Sequence, residues 1–133
     1  MNTVRNSKVI LAVVLAFVCM CVVPQIINAQ AIKASVSEIL NNPDRYDGKM
    51  VQVEGKIYSL KFKTSKRGNP YTTLTIRDAS SRALNVFSFG TLSIKGGDSV
   101  VVMGRYNKVK RIPPRYTFYN EIDASEGSVE KIR

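Results

Sequence analysis

The chain has no histidine and no tryptophan, two cysteines, and ten carboxylates against 20 lysines and arginines in 133 residues. Each shortage removes a class of chemistry. Without imidazole there is no triad base, no zinc site of the usual kind and no histidine to attach haem. Cys19 and Cys21 both fall in an apolar N-terminal run, so the chain after residue 31 has no disulfide framework and no thiol pair for metal or redox work. The carboxylates do not cluster: Asp44 with Asp47, and Glu121 with Asp123 and Glu126, stand in turn-like or chain-terminal positions, which does not describe a hydrolase. The glycine patterns of dinucleotide and P-loop sites are missing, Gly96-Gly97 being a lone turn. No catalytic residue, cofactor or metal is expected, and the chain reads as a non-enzyme.

What is present is positive charge, +10 overall. Arg5 and Lys8 open the chain, Val9 to Val23 runs 15 residues without a charge, and Pro24 precedes Ala29-Gln30-Ala31. A charged start, an apolar run and a small-residue site describe an export signal cleaved after Ala29 or Ala31. The competing reading is an uncleaved membrane anchor over residues 9–31, because the uncharged stretch extends to Ile32. Residues 1–31 are thus signal or anchor, 32–125 one domain and 126–133 a polar C-terminal tail, with the domain exported to a periplasmic or extracellular space. The part after residue 31 keeps 18 of the 20 basic residues and all ten acidic ones, a net +8, so the folded part itself favours an anionic partner.

The order of elements is legible from periodicity and turn chemistry. Ser35 is placed to cap a short helix that carries Glu38 at its third position and stops at Pro43. Asp44 to Gly48 is a turn. Lys49 opens a strand in which Val51 and Val53 alternate with Gln52 and Glu54. Gly55 interrupts it, and beyond it Ile57, Tyr58, Leu60 and Phe62 occupy both parities, as where a long strand bends to serve two parts of a curled sheet. Tyr71 to Arg77 and Ala83 to Phe89 form a hairpin across the turn 78–82, with Leu74, Ile76, Leu84 and Val86 on one face. A connection from Phe89 to Asp98 has room for one helical turn. Ser99 to Tyr106 and Tyr116 to Ala124 are the last strands, the latter with Phe118, Asn120, Ile122 and Ala124 on one face. Five strands at short spacing predict an all-β chain, a five-stranded Greek-key barrel of the OB type with a short N-terminal helix, and not a sandwich of about seven strands.

The hairpin's second face carries Tyr71, Thr73, Arg77 and Phe87, a surface on which bases can stack. Two connections flank it. Lys61, Lys63, Lys66 and Arg67 lie in the first, and Lys108, Lys110, Arg111 and Arg115, next to Tyr116, lie in the second around a stiff Ile112-Pro113-Pro114. No acidic residue interrupts 56–77 or 99–120. Cations to follow phosphates and flat rings to hold bases are the two requirements of a single-strand binder.

The runs Gly48 to Gly55, Tyr71 to Asp78, Val86 to Phe89, Gly97 to Val100 and Val102 to Tyr106 resemble OB-fold domains of the tRNA-anticodon-binding type. Leu40 to Tyr46 is similar to the lead-in of the exported tRNA-anti-like versions, and the likeness covers about Val36 to Ala124. It implies an oligonucleotide or oligosaccharide held on strands two and three and by the loops joining strands one to two and four to five. The secreted nucleases on this barrel use a calcium-holding aspartate set with a catalytic glutamate and arginines, a motif not matched here. The expected function is binding of nucleic acid, single-stranded in preference, or of another polyanion. The alternative is an envelope domain docking onto an acidic protein, glycan or lipid headgroup, with a membrane contact only through an uncleaved N-terminal segment.

Overall fold

The computed structural model describes residues 30–132; residues 1–29 of the expected signal or anchor lie outside the described residues. The elements are β1 (Ile32–Lys33), α1 (Val36–Asn41), α2 (Pro43–Tyr46), β2 (Met50–Thr64), β3 (Pro70–Arg77), β4 (Ala83–Phe89), β5 (Ser99–Ile112) and β6 (Tyr116–Lys131). They make one mixed sheet of six strands in the order β1-β2-β3-β4-β6-β5, and β2 also pairs with β5, so the hydrogen bonding runs round in a ring. Five of these strands match the sequence pattern; the sixth is the two-residue β1, parallel to the start of β2.

The ring closes because β2 serves two partners. Its first half, Met50 to Lys56, pairs with β5, and its second half, Lys56 to Thr64, pairs with β3. Gly55 stands at the changeover, where a Cβ would lie 3.0 Å from the Ile76 Cβ and 3.1 Å from the Arg77 carbonyl oxygen. A register shift between Ile57 and Ser59 supplies the rest of the bend. Inside the ring Val51, Val53, Ile57, Leu74, Ile76, Leu84 and Val86 meet Val100, Val102, Tyr106, Ile122 and Ala124, with Val36 and Ile39 of α1 and Tyr46 of α2 filling the remaining space. Each such aliphatic side chain taken from water contributes about 1.5–3 kcal/mol.

Four expectations change. Pro43 does not merely stop the helix; it takes the first position of α2, where its missing N–H costs nothing, so Asp44 to Tyr46 is helical and not a turn. No helical turn forms between Phe89 and Asp98, although Ile94 packs against the core as expected. The fourth strand continues past Tyr106 to Ile112. Residues 126–131 of the polar tail are strand, because β6 continues to Lys131 and pairs Ser128, Val129, Glu130 and Lys131 with Met103, Val102, Val101 and Val100. Backbone pairing along β5 satisfies that segment whatever its side chains, and polarity in an edge-facing strand says little about order.

Helix α1 is fastened at one end of the β3–β4 hairpin. Ser35 caps it by accepting from the Glu38 N–H at 3.0 Å, as the sequence predicts. Ser37 then donates its N–H and hydroxyl to Asp78 at 3.0 and 2.6 Å, and Ser80 donates its own N–H and hydroxyl to the other oxygen at 3.0 and 2.5 Å. Burial alone would raise the Asp78 carboxyl, but these four bonds outweigh it and bring the pKa to about 2, against 3.8 for an unperturbed aspartate. A depressed folded-state value stabilises the fold fully above pH 3.8 and loses that contribution as pH falls towards 2. Thermal denaturation of wild type and Ser37→Ala is therefore expected to show a Tm gap at pH 6 that narrows between pH 4 and pH 2.5. A gap constant over that range would show that the serine stabilises by some other route.

Candidate functional site

At the other end of the hairpin the outer faces of three strands carry a mixed basic and aromatic surface. Register sets it: Lys61 stands opposite Thr73 and Lys63 opposite Tyr71 in the β2–β3 pair, while Thr73 stands opposite Phe87 and Tyr71 opposite Phe89 in the β3–β4 pair. Cross-strand partners share a face. Leu74 and Ile76 face Val86 and Leu84 on the buried side, as the alternation predicts, which leaves Tyr71 and Phe87 outward with their ring centroids 5.8 Å apart. Phe89 meets Phe87 edge-on at 5.2 Å.

A projecting arm supplies the opposite wall. Beyond Tyr106 and Ile122 the core ends, but β5 and β6 stay paired from Val109 with Tyr119 out to Ile112 with Tyr116. Asn120, at φ 50°, marks the root of the arm and accepts a 2.5 Å hydrogen bond from the buried Tyr106 hydroxyl. Asparagine tolerates that left-handed conformation better than most residues. The arm turns Lys110, Ile112, Tyr116 and Phe118 towards the outer face of β3 and β4, and a groove of about 700 Å³ lies between them. Its floor is Tyr71, Thr73, Phe87 and Phe89; Lys63, Ser65, Lys66, Asn69 and Pro70 close the side formed by the β2–β3 hairpin. Tyr116 and Phe118 stack with centroids 6.5 Å apart and planes 18° from parallel.

The cations divide into two groups. Lys61, Lys63, Lys66, Arg67, Arg111 and Arg115 are exposed and, among the described residues, make no ion pair. Lys61 and Lys63 are on β2 and Arg111 on β5, not in loops; the β2–β3 connection is only residues 65–69, closed by Ser65 N–H to the Asn69 carbonyl at 2.8 Å. Lys110 donates to Glu121 at 3.2 Å and to Asp123 at 3.1 Å, and its ammonium sits 5.1 Å from the Phe87 ring centre. Burial weakens that ammonium, yet its two partners hold its pKa above the ordinary lysine value. Burial pushes the Glu121 carboxyl up in spite of Lys110, whereas hydrogen bonds from Ser125 and Lys110 outweigh burial and lower Asp123.

Six predicted site residues do not line the groove: Lys61, Arg67, Arg111 and Arg115, which stay exposed around it, and Lys108 and Arg77, which have partners elsewhere. Lys108 is on β5, bound to Asp44 at 2.8 Å with its N–H on Asp47, so it fastens α2 and does not line the groove. Arg77 shares the outward parity of Tyr71 but lies at the far end of β3, its guanidinium 3.2 Å above the Tyr58 ring centre and its Nε buried without a hydrogen bond. Phe118, placed on one face with Ile122 by its parity, is 40% exposed because the arm has left the core behind. Alternation gives the face; it does not give the depth. Among the described residues no three side chains of metal-binding type come together.

No family model matches the chain, and no curated protein matches it. Two of the solved structures similar to it bear on the fold. One is a candidate aspartyl-tRNA synthetase from Leishmania major Friedlin, with TM-score 0.54 and 16% identity, covering 82% of this chain and 22% of that one. The other is a candidate nucleic acid-binding lipoprotein from Klebsiella pneumoniae subsp. pneumoniae MGH 78578, with TM-score 0.53 and 19% identity, covering 77% of this chain and 92% of that one. The chain thus spans 22% of the synthetase. At these identities the likeness bears on the fold, and it is consistent with an OB-like arrangement.

Proposed function

We propose that this chain is an exported, non-enzymatic OB-like module of Greek-key connectivity that binds single-stranded nucleic acid in the groove between the β5–β6 arm and the outer face of β3 and β4. One observation carries the reading: Tyr71, Phe87, Phe89, Tyr116 and Phe118 line a single groove together with Lys63 and Lys66, which make no ion pair among the described residues. The rings offer stacking at about 1–3 kcal/mol per base, and the cations follow the backbone. A duplex hides the faces of its bases, so a groove built on rings favours the single strand. The similar Klebsiella structure, a candidate nucleic acid-binding lipoprotein, supports the same reading and suits an envelope location.

The test is a fluorescence-anisotropy titration of the full chain with labelled single-stranded DNA, with duplex DNA and an acidic glycan as competitors, at two salt concentrations. Preference for the single strand that persists near physiological salt supports the proposal. Equal binding of all polyanions that vanishes as salt rises would replace it with an envelope docking surface. Reversing the hairpin-tip charges, Lys66→Glu with Arg67→Glu, is expected to flatten the slope of log K against log salt by about 1.4, two contacts at about 0.7 each on a single strand. An unchanged slope would remove the β2–β3 tip from the phosphate path.

A further inference from the structure

The Lys110 cluster is odd in a groove for polyanions. One carboxylate would neutralise the ammonium, yet two are supplied, so with both ionised the cluster carries a net negative charge on the wall of an otherwise basic groove. Asp123 is already committed to Ser125 as well as to Lys110. Glu121 is different: it is 7% exposed, it lines the groove beside Phe87, and only its Oε1 accepts a bond, from Lys110. Its second oxygen is neither hydrogen-bonded among the described residues nor fully enclosed. A carboxylate oxygen in the groove lining with no donor of its own repels phosphate and asks for a hydrogen-bond donor.

We propose that Glu121 is a base-selecting residue, its open oxygen accepting a hydrogen bond from the exocyclic amine of a base stacked on Phe87. This rests on the nucleic-acid reading of the groove. The chemistry separates the pyrimidines: cytosine presents its N4 amine to a carboxylate, whereas the one N–H of thymine lies between two carbonyl oxygens that a carboxylate repels. Adenine and guanine also carry amines, but cytosine and thymine match in size, so their comparison isolates the hydrogen bond from stacking. Lys110 fixes the carboxylate through its Oε1, and the phosphates are left to Lys63 and Lys66 of the groove lining, which make no ion pair among the described residues.

The experiment compares oligo(dC) with oligo(dT) of equal length on the full-length wild type, Glu121→Gln and Asp123→Asn, by anisotropy. Wild type is expected to bind oligo(dC) about tenfold more tightly, the usual size of a good charged hydrogen bond. Glu121→Gln, whose amide can donate to the thymine O4, is expected to lose that preference, and Asp123→Asn, which leaves the open oxygen in place, to keep it. Equal binding of both oligomers by wild type overturns base selection while leaving the groove a nucleic-acid site. Binding of neither overturns the groove reading itself. Should Glu121→Gln fail to fold, the wild-type ratio still decides.

Discussion

Phe87→Ala is expected to weaken binding of a short single-stranded oligonucleotide by about 1–3 kcal/mol, between about fivefold and more than a hundredfold. Phe87 is chosen because the other groups of the groove converge on it: Tyr71 at 5.8 Å, Phe89 at 5.2 Å and the Lys110 ammonium at 5.1 Å. Its side chain stands on the outer face of β4, opposite Thr73, so truncation opens no core cavity, and the Tm should move by little. That separation makes the result interpretable. A large loss of affinity with an unchanged Tm identifies a stacking floor, and it should be much the same at low and high salt, because stacking releases no counterions. An affinity within twofold of wild type would mean that the ligand is held by charge alone.

A large effect on stability is expected from Gly104→Ala, a loss of about 3 kcal/mol and a Tm lower by about 12–24 °C for a domain of this size. Gly104 is buried where the β5–β6 register shifts, and a Cβ there would lie 2.5 Å from the Asp123 carbonyl oxygen, 2.8 Å from Ile122 Cγ2 and 2.9 Å from Ala124 Cα. Two of the three are backbone atoms, which cannot swing aside as a side chain would. Gly127 faces the same crowding against the Met103 carbonyl across the same shift. Gly96→Ala serves as the control, since nothing lies within 4 Å of the added methyl, and its Tm should stay within a few degrees of wild type. Equal behaviour of the two variants would show that β5 and β6 separate at the bulge.

Much of this architecture is legible in the residues because a half-buried strand must alternate. Leu74, Ile76, Leu84 and Val86 are inward as their parity requires, Tyr71 and Phe87 are therefore outward, and Ser35 caps the helix whose first turn carries Glu38. Gly55 marks the bend of β2 because a Cβ there would crowd Ile76 and the Arg77 carbonyl. These are local consequences of pleat, cap and close approach, and each is written within a few residues of where it acts.

What the linear order hides is how far each strand runs past the core and which charges meet. Lys108 and Lys110 look alike on paper, two cations one strand-repeat apart in an acid-free stretch. Folding puts the first against Asp44, 64 positions away, and the second between Glu121 and Asp123 on the neighbouring strand. Phe118 has the parity of a core residue and the exposure of a groove wall, since periodicity reports a face and never a depth. The polar stretch 126–131 becomes ordered strand because β5 offers it a ladder, a backbone interaction with no side-chain signature. Alternation and turn chemistry act along the chain and so are readable from it. Ion pairing, strand length and the open oxygen of Glu121 depend on what stands across the sheet, and only the closed ring decides that.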